Sequence, residues 1–312
     1  MAFTASDVKT LRDKTGVGMM DCKKALTEAD GDLDRAVDIL RERGLAAATK
    51  KASRITAEGT VQTYVDETTD TTVLLEVNSE TDFVGKIPEF HTFVTGVAKT
   101  IAKENPADVE TLLGMTIADG TETVEEARQG IILKSGENIS VRRFERIAGN
   151  PAVVSYIHAG GSMGVLAVFN TDAATAKADA FLAMGRDVAM QTAAMSPQYL
   201  SKDTVPADVV EKEKAICKAQ LAEDPKMAGK PEKVLENIVV GRVNKFYKEV
   251  CLLDQPFVKD GDISVGQYVQ NTAKELGATI EALDFIRFVK GENIQKREED
   301  FAAEVAKAVG QA

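Results

Sequence analysis

The chain has 312 residues, of which 44% are hydrophobic and 28% are charged, a composition typical of a folded protein with two or three domains. Its 49 acidic residues exceed its 38 Lys and Arg residues, and the formal charge of -11 argues against nucleic acid as the main partner. No apolar run approaches the roughly 18 residues of a membrane span, and the amino terminus does not resemble a signal peptide. A cytoplasmic protein with no membrane contact is therefore expected.

Cysteine and histidine are too sparse to suggest a disulfide framework or a metal site. Cys22, Cys217 and Cys251 are odd in number, far apart and outside C-x-x-C spacing, so they are predicted to be reduced thiols. The two histidines, His91 and His158, are distant from each other in sequence and form no ligand cluster. No metal or other cofactor is predicted.

The first 44 residues predict a compact unit of three helices. The helices are predicted at residues 6–16, 21–29 and 33–43, with Thr4 or Ser6 as the first N-cap. Gly44 would end the third helix, and residues 46–54 are interpreted as a linker. Met19 and Met20 lie in the first interhelical loop, where they either cover the core of this unit or face a partner.

Beyond the linker the sequence repeats itself. A shift of 92 residues aligns 61–78 with 153–170, and a shift of 141 aligns 119–146 with 260–287. The pairs include Val61 with Val153, Tyr64 with Tyr156, Asn78 with Asn170, Gly136 with Gly277, and Ile139 with Ile280. Two copies of one subdomain are therefore predicted. The difference between the shifts places an insertion of 49 residues in the second copy, between about residues 197 and 255.

Each copy is predicted to be an α+β layer, with two strands, two helices and a third strand. The strands are expected at residues 59–65, 72–77 and 139–147, and at 153–158, 164–170 and 280–289. The insertion shows helical periodicity in two arms separated by Pro225 and Pro231, which predicts an antiparallel helical hairpin. A last amphipathic helix is predicted at residues 295–309.

Motifs of covalent catalysis are weak in this chain. Residues 160–164 match G-x-S-x-G, but no histidine follows His158, so a hairpin turn is the better interpretation and Ser162 is not predicted to be a nucleophile. Residues 16–21 begin like a dinucleotide fingerprint but have Asp21 where the third glycine belongs. The chain is therefore predicted to bind a partner and not to be an enzyme.

The run Asn78-Ser79-Glu80-Thr81-Asp82-Phe83-Val84 joins a predicted strand to a helix that opens at Pro88. An aromatic residue flanked by polar ones at such a junction is either core or aimed at a partner. The shift of 92 carries Thr81, Asp82 and Phe83 onto Ala173, Ala174 and Thr175. A phenylalanine required by the shared core would have a large apolar counterpart. The repeat therefore favours a task for Phe83 that belongs to the first copy alone.

Six runs of residues closely resemble the elongation factor Ts family, and they occur in the family's order over essentially the whole chain. They are residues 15–26, 76–84, 136–139, 209–213, 255–258 and 300–305. The resemblance implies a guanine nucleotide exchange factor for elongation factor Tu, the GTPase that delivers aminoacyl-tRNA to the ribosome. The hairpin and the lack of a transit peptide favour the bacterial, cytoplasmic type.

The resemblance also implies a domain layout that agrees with the predicted elements. It comprises a ubiquitin-associated-like helical domain at residues 1–45, a linker at 46–56, core subdomains at 57–149 and at 150–197 with 255–290, a coiled-coil hairpin at 198–254, and a C-terminal helical module at 291–312. The hairpin could join two copies into a Tu2Ts2 complex or leave a simple Tu–Ts complex. The alternative to exchange is a ubiquitin-associated-like scaffold protein without that activity.

Several residues acquire expected roles from the family. Thr81, Asp82, Phe83 and Val84 would insert beside the magnesium and phosphate site of Tu, with Phe83 as an apolar wedge. Further contacts with GDP-bound or nucleotide-free Tu would come from Lys9, Arg12, Met19, Met20, Gly136 and His158. On the residues alone, Gly136 most simply permits a left-handed turn and His158 is a strand-end surface residue.

Overall fold

The architecture is that of a computed structural model, which describes residues 3–225, 227 and 230–295. The protein is of mixed α+β type, and its sheets are antiparallel. None of the helices in the described ranges is long and apolar enough to cross a membrane. The predicted last helix beyond Gln295, and with it all of the predicted C-terminal module except residues 291–295, lies outside the described residues.

Three helices form the amino-terminal unit, as the sequence predicts. They are α1 (Ala5–Thr15), α2 (Met19–Glu28) and α3 (Leu33–Lys51). Thr4 and Asp7 form a reciprocal capping box at the start of α1, and Gly16 ends it in the left-handed conformation. The unit has its own apolar core, which includes Leu11 and Leu26 with no exposed area.

The prediction that Gly44 ends the third helix is wrong. α3 continues to Lys51, and Gly44 is buried within it. A β-carbon at Gly44 would lie 3.4 Å from the backbone oxygen of Gln129, so this part of α3 packs against a neighbouring helix. Most of the predicted linker is therefore helical, and Ala48 joins the core of the first copy.

The first copy consists of a three-stranded sheet with helices on one face. Its elements are β1 (Glu58–Asp66), β2 (Thr71–Ser79), α4 (Pro88–Glu104), α5 (Val109–Leu113), α6 (Val124–Ser135) and β3 (Ile139–Ile147). The strand order is β1-β2-β3. Val73, Leu75 and Val77 alternate along β2 and pack in the same core as α4 and α6.

The second copy repeats the three-stranded sheet and adds a helical insertion, as well as a short two-stranded sheet that the sequence analysis does not predict. Its elements are β4 (Val153–His158), β5 (Met163–Asn170), α7 (Asp179–Met195), α8 (Ala207–Glu223), α9 (Glu232–Val250), β6 (Pro256–Phe257), β7 (Asp260–Ser264), α10 (Val265–Leu276) and β8 (Glu281–Val289). The order β4-β5-β8 matches that of the first sheet. Even the register shift recurs, after Glu76 in β2 and after Val168 in β5.

The repeat is displaced by one residue at the junction before the long helix. Short 3-10 helices at Val84–Lys86 and Thr175–Lys177 precede α4 and α7, so the shift there is 91 and not 92. Phe83 therefore corresponds to Ala174, and not to Thr175 as the ungapped alignment predicts. Because the shift before the insertion is one smaller, the insertion in the second copy is one residue longer than predicted. The counterpart of Phe83 is small in either alignment.

The two sheets face each other, with the helices on the outside. Val61 and Leu74 of the first sheet pack against Leu166 and Phe288 of the second. At one end of this contact the apolar layer gives way to Glu76, a fully buried carboxylate. The four layers therefore run helix, sheet, sheet, helix.

The insertion in the second copy is a pair of antiparallel helices, α8 and α9. Their contact is formed by Cys217, Leu221, Val239 and Val243, all buried. The two ends of the insertion meet, because the Tyr199 N–H donates to the Val250 carbonyl at 3.1 Å and the Leu252 N–H donates to the Tyr199 carbonyl at 2.9 Å. The chain therefore leaves the second copy and returns to it at one point.

Candidate partner-binding site

Phe83 is the clearest feature of the molecular surface. Its exposed fraction of 75% is the largest among the large hydrophobic side chains of the described residues. An aromatic ring left in water forgoes about 1.5–3 kcal/mol of burial free energy. The backbone beneath it is fixed, because the Phe83 carbonyl accepts the Lys86 N–H at 3.1 Å. Phe83 therefore presents an apolar group on an ordered turn.

Val84 anchors the turn to the interior. Its side chain is only 5% exposed and belongs to the core that β2 and α4 share. Of the four residues that the family resemblance assigns to insertion, Val84 is the one that does not lie at the surface. Its structural contribution is to hold Phe83 in place.

Asp82 carries an ionised carboxylate beside the Phe83 ring. The Lys86 ammonium group lies 2.6 Å from Asp82 Oδ2 and 5.6 Å from the centroid of the ring. The hydrogen bond from Lys86 lowers the pKa of Asp82, and the positive charge of Lys290 acts in the same direction. The exposed loop thus combines an apolar ring, an anion and a cation.

Thr81 is held by Glu137, which precedes β3. The Thr81 N–H and hydroxyl donate to the two oxygens of the Glu137 carboxylate at 2.9 and 2.6 Å. Glu80 in turn accepts the Asn138 N–H at 2.6 Å. Glu80 and Glu137 were not predicted as site residues, although both lie in runs that resemble the family. The contact of Glu137 with Thr81 spans 56 residues of sequence, and that of Glu80 with Asn138 spans 58.

Gly136 lies next to this contact, at the end of α6. It adopts the left-handed conformation, with φ of +77°, as Gly277 does at the end of α10 with φ of +62°. The predicted turn role is therefore confirmed. No atom lies within 4 Å of where a β-carbon at Gly136 would be, so the surface there is open.

The amino-terminal unit carries exposed methionines at the start of its second helix. Met19 and Met20 begin α2, are 45% and 64% exposed, and do not belong to the apolar core of the unit. The Lys134 side chain of α6 lies against Gly16, 2.8 Å from where its β-carbon would be. The loop before α2 is thus adjacent to the end of α6 that carries Gly136. Lys9 and Arg12 are exposed on α1.

His158 lies at the turn between β4 and β5. It is exposed, and its Nδ1 lies 2.9 Å from the Tyr156 hydroxyl. Ser162 donates to the His158 carbonyl, which confirms that the G-x-S-x-G run is a hairpin turn. The Ser162 carbonyl accepts the N–H of Lys290, the residue whose charge acts on Asp82. This turn therefore belongs to the same end of the molecule as the Phe83 loop.

A separate cavity of about 980 Å³ lies between the amino-terminal unit and the first copy. It is lined by side chains of both signs, including Lys14, Arg41, Glu89 and Glu126. In the described ranges, no three His, Cys, Asp or Glu residues lie together as a metal site would require. The exposed ring of Phe83 on its hydrogen-bonded loop is therefore a stronger candidate for the partner-binding site than this cavity is.

Comparison with known proteins identifies the family of this chain. The family model described as elongation factor TS matches residues 80–292. The chain belongs to the elongation factor Ts family. Elongation factor Ts of Clostridium kluyveri is 48% identical over 309 residues, which cover 98% of this chain and 99% of the relative. Elongation factor Ts of Trichlorobacter lovleyi is 48% identical over 313 residues, with 99% of each chain covered.

A third relative, elongation factor Ts of Clostridium perfringens, is 48% identical over 309 residues and 99% of each chain. The part matched by the elongation factor Ts family model begins at Glu80, so it contains the Phe83 loop, Gly136 and His158. The three amino-terminal helices precede that part but lie within the span shared with the relatives. Family membership thus applies to every region that contributes to the candidate site.

Proposed function

We propose that this chain is a guanine nucleotide exchange factor for elongation factor Tu and acts in the cytoplasm during translation elongation. It binds GDP-bound Tu, promotes release of GDP and magnesium, and stabilises nucleotide-free Tu until GTP binds. The observation that carries the proposal is the 75% exposed ring of Phe83 on an anchored loop. The second copy has Ala174 at the corresponding position, so the shared scaffold does not require this ring.

Exchange requires no covalent chemistry in the factor. A factor that binds nucleotide-free Tu more tightly than loaded Tu lowers nucleotide affinity by the same coupling free energy. Phe83 would enter an apolar pocket of Tu beside the magnesium and phosphate site, with Thr81 and Asp82 next to it. Burial of one phenylalanine supplies about 1.5–3 kcal/mol, or roughly one to two decades in an equilibrium constant.

A tightly held nucleotide requires more free energy than one ring supplies, so other regions must also bind Tu. We assign these contacts to exposed residues in other regions of the chain. They are Lys9, Arg12, Met19 and Met20 of the amino-terminal unit, Gly136 of the first copy, and His158 of the second. In this proposal the three helices act as a ubiquitin-associated-like domain, and the two sheets with their helices act as the core subdomains.

Release of a fluorescent GDP analogue from Tu tests this proposal. The wild-type chain should accelerate release, and Phe83→Ala should lower the maximal rate by roughly tenfold to a hundredfold, the value of one buried ring. Phe83→Leu should retain part of the rate because it keeps an apolar group.

Leu283→Ala is the matched control, because Leu283 is also an exposed apolar residue, at 47%, and lies on β8 of the second copy. It should behave as the wild type does. A wild-type chain that leaves the release rate unchanged would sink the proposal. Equal rates for wild type and Phe83→Ala would remove Phe83 from it.

The hairpin is proposed to be a coiled coil that also joins two copies of the chain. Its internal contact uses Cys217 and Val239, whereas Ile216 and Val240 remain 42% and 58% exposed. Light scattering should show a dimer for the full chain and a monomer for a variant lacking residues 206–250. A full chain that is monomeric at all concentrations contradicts dimerisation.

A further inference from the structure

Two loops of the first copy hold each other through reciprocal hydrogen bonds. The Glu137 carboxylate accepts the N–H and the hydroxyl of Thr81 at 2.9 and 2.6 Å. In return, Glu80 Oε1 accepts the N–H of Asn138 at 2.6 Å. Each loop therefore offers a carboxylate to a backbone N–H of the other. We call residues 80–81 together with 137–138 the latch.

The latch also reaches the segment that follows α3. Asn138 is only 5% exposed, and its amide nitrogen donates to the carbonyls of Ala52 and Arg54 at 3.4 and 3.1 Å. The Arg54 guanidinium lies 3.4 Å from Glu80. The loop that carries Phe83 is thus connected to the end of the amino-terminal unit as well as to the end of α6.

The second copy folds without a latch. At the positions of Glu137 and Asn138 it has Ala278 and Thr279. Its corresponding loop is closed locally by Asp172, whose carboxylate accepts the N–H groups of Ala174 and Thr175 and the Thr175 hydroxyl. Among the described residues, no hydrogen bond joins this loop to the end of α10, so the scaffold tolerates a loop that is closed only locally. Of the two copies, the one with the exposed phenylalanine is the one with the latch.

The chemistry of the latch suits a loop that must keep one conformation while its tip is exposed. Hydrogen bonds to ionised carboxylates are shorter and stronger than neutral ones, and Glu80 and Glu137 are both partly buried. A side chain presented in its bound orientation loses less conformational entropy on binding. For Phe83, which is proposed to enter Tu after the first encounter, this saving in entropy would favour the step in which the ring displaces nucleotide.

We propose that Glu137 is a positioning residue for nucleotide exchange, with Glu80 as its reciprocal partner. This inference rests on the proposed function, because the latch is inferred to orient the ring of Phe83 for its role as a wedge. Loss of the latch should impair the step that displaces nucleotide more than it impairs binding of Tu. The expected change is a lower maximal release rate at a nearly constant half-saturating concentration.

The test compares Glu137→Ala, Glu137→Gln and the wild type in the GDP-release assay, each over a range of factor concentrations. Glu137→Ala should lower the maximal rate roughly tenfold, which is within the limit of about a hundredfold that a misplacement of an acting group by about 1 Å can cause. Glu137→Gln should recover part of the rate, because its amide can still bond to Thr81. Hydrogen exchange at the Thr81 amide should accelerate in Glu137→Ala.

Asp172→Ala is the matched control, because it opens the corresponding loop of the copy without the wedge. Its maximal release rate should equal that of the wild type. In the background of Phe83→Ala, the Glu137→Ala change should have no further effect on the rate, since the latch acts through the ring.

The outcomes separate this inference from the proposed function. An active wild type with an equally active Glu137→Ala variant overturns the inference alone, as does full additivity of Glu137→Ala and Phe83→Ala. A reduced rate explained entirely by a higher half-saturating concentration also overturns it. A wild type that fails to release nucleotide overturns the proposed function itself.

Discussion

Glu76, buried in β2, accepts a hydrogen bond from the backbone N–H of Gly291, which follows the last strand of the opposite sheet, at 2.8 Å. The same carboxylate lies 2.8 Å from Arg142 and 2.6 Å from Arg143. Arg143 also stacks on Phe288 of the second sheet, 4.2 Å from its ring centroid. This cluster joins the two copies at the end of the molecule that carries the Phe83 loop.

Glu76→Ala should be strongly destabilising. It leaves two guanidinium groups without their buried acceptor, and loss of one partner of a buried ion pair costs about 3–5 kcal/mol. Urea denaturation would measure the loss in the free energy of unfolding.

The second copy supplies a matched control for Glu76→Ala, because it has Val168 and Leu283 where the first copy has Glu76 and Arg142. Glu76→Val combined with Arg142→Leu should therefore recover part of the stability. A Glu76→Ala variant as stable as the wild type would show that the cluster contributes nothing.

Acid should weaken the protein partly through Glu76. Burial alone would raise the pKa of Glu76, but hydrogen bonds from the Gly291 N–H and from Arg142 and Arg143 lower it below its ordinary value of 4.5. A carboxyl group with a lowered folded-state pKa contributes stability above its unfolded pKa, and this contribution is lost as the pH falls through the folded value.

The free energy of unfolding should therefore decrease as the pH is lowered below 4.5. Glu76→Gln should be less stable than the wild type at neutral pH and show a shallower decrease with acid. Equal slopes of unfolding free energy against pH for the two proteins would contradict the assignment.

Gly136 and Gly277 form an internal control for structural and functional effects. Both end a helix with positive φ, and at neither does any atom lie within 4 Å of where a β-carbon would be, so alanine at either should cost about 1–2 kcal/mol in backbone strain. Urea denaturation should give similar losses for Gly136→Ala and Gly277→Ala. In the GDP-release assay only Gly136→Ala should change the rate, since only Gly136 adjoins the latch.

The cysteines should be poorly reactive in the folded protein. Cys22, Cys217 and Cys251 are all buried free thiols. Burial and the nearby Asp254 raise the pKa of Cys251 to about 11, and burial also raises the pKa of Cys22. Since the thiolate is the reactive form, a thiol reagent at about pH 8 should label these two residues slowly until denaturant is added. Fast labelling of Cys251 in the native protein would contradict its burial.

Periodicity is sufficient to predict the strands of the two three-stranded sheets and most of the helices, because it reports which face of an element is buried, but it misses the short strands β6 and β7. Residues 139–147 and 153–158 were predicted with the observed bounds. The prediction that Gly44 ends a helix failed because Gly44 lies against Gln129 in the interior of α3, and a local rule for helix ends does not include such a tertiary contact. The one-residue displacement at Phe83 was missed because an ungapped shift cannot register a shortened loop.

The sequence predicts the exposed residue of the candidate site, Phe83, but not the residues that hold its loop in place. Phe83 stood out because the repeat replaces it by a small residue, and its exposure agrees with that prediction. Glu137 and Glu80 gave no local signal, since a charged residue between elements is usually solvated. The same holds for Glu76, whose burial depends on how one sheet packs against the other.

The two ends of the hairpin meet at Tyr199, Val250 and Leu252, and this geometry allows the length of the hairpin to change during evolution. Codons gained or lost in matched numbers on both arms change how far the tip reaches without moving the strands on either side. Selection can therefore adjust the length of this arm in one lineage and shorten it in another while the paired sheets, and the ring they present, are passed on intact.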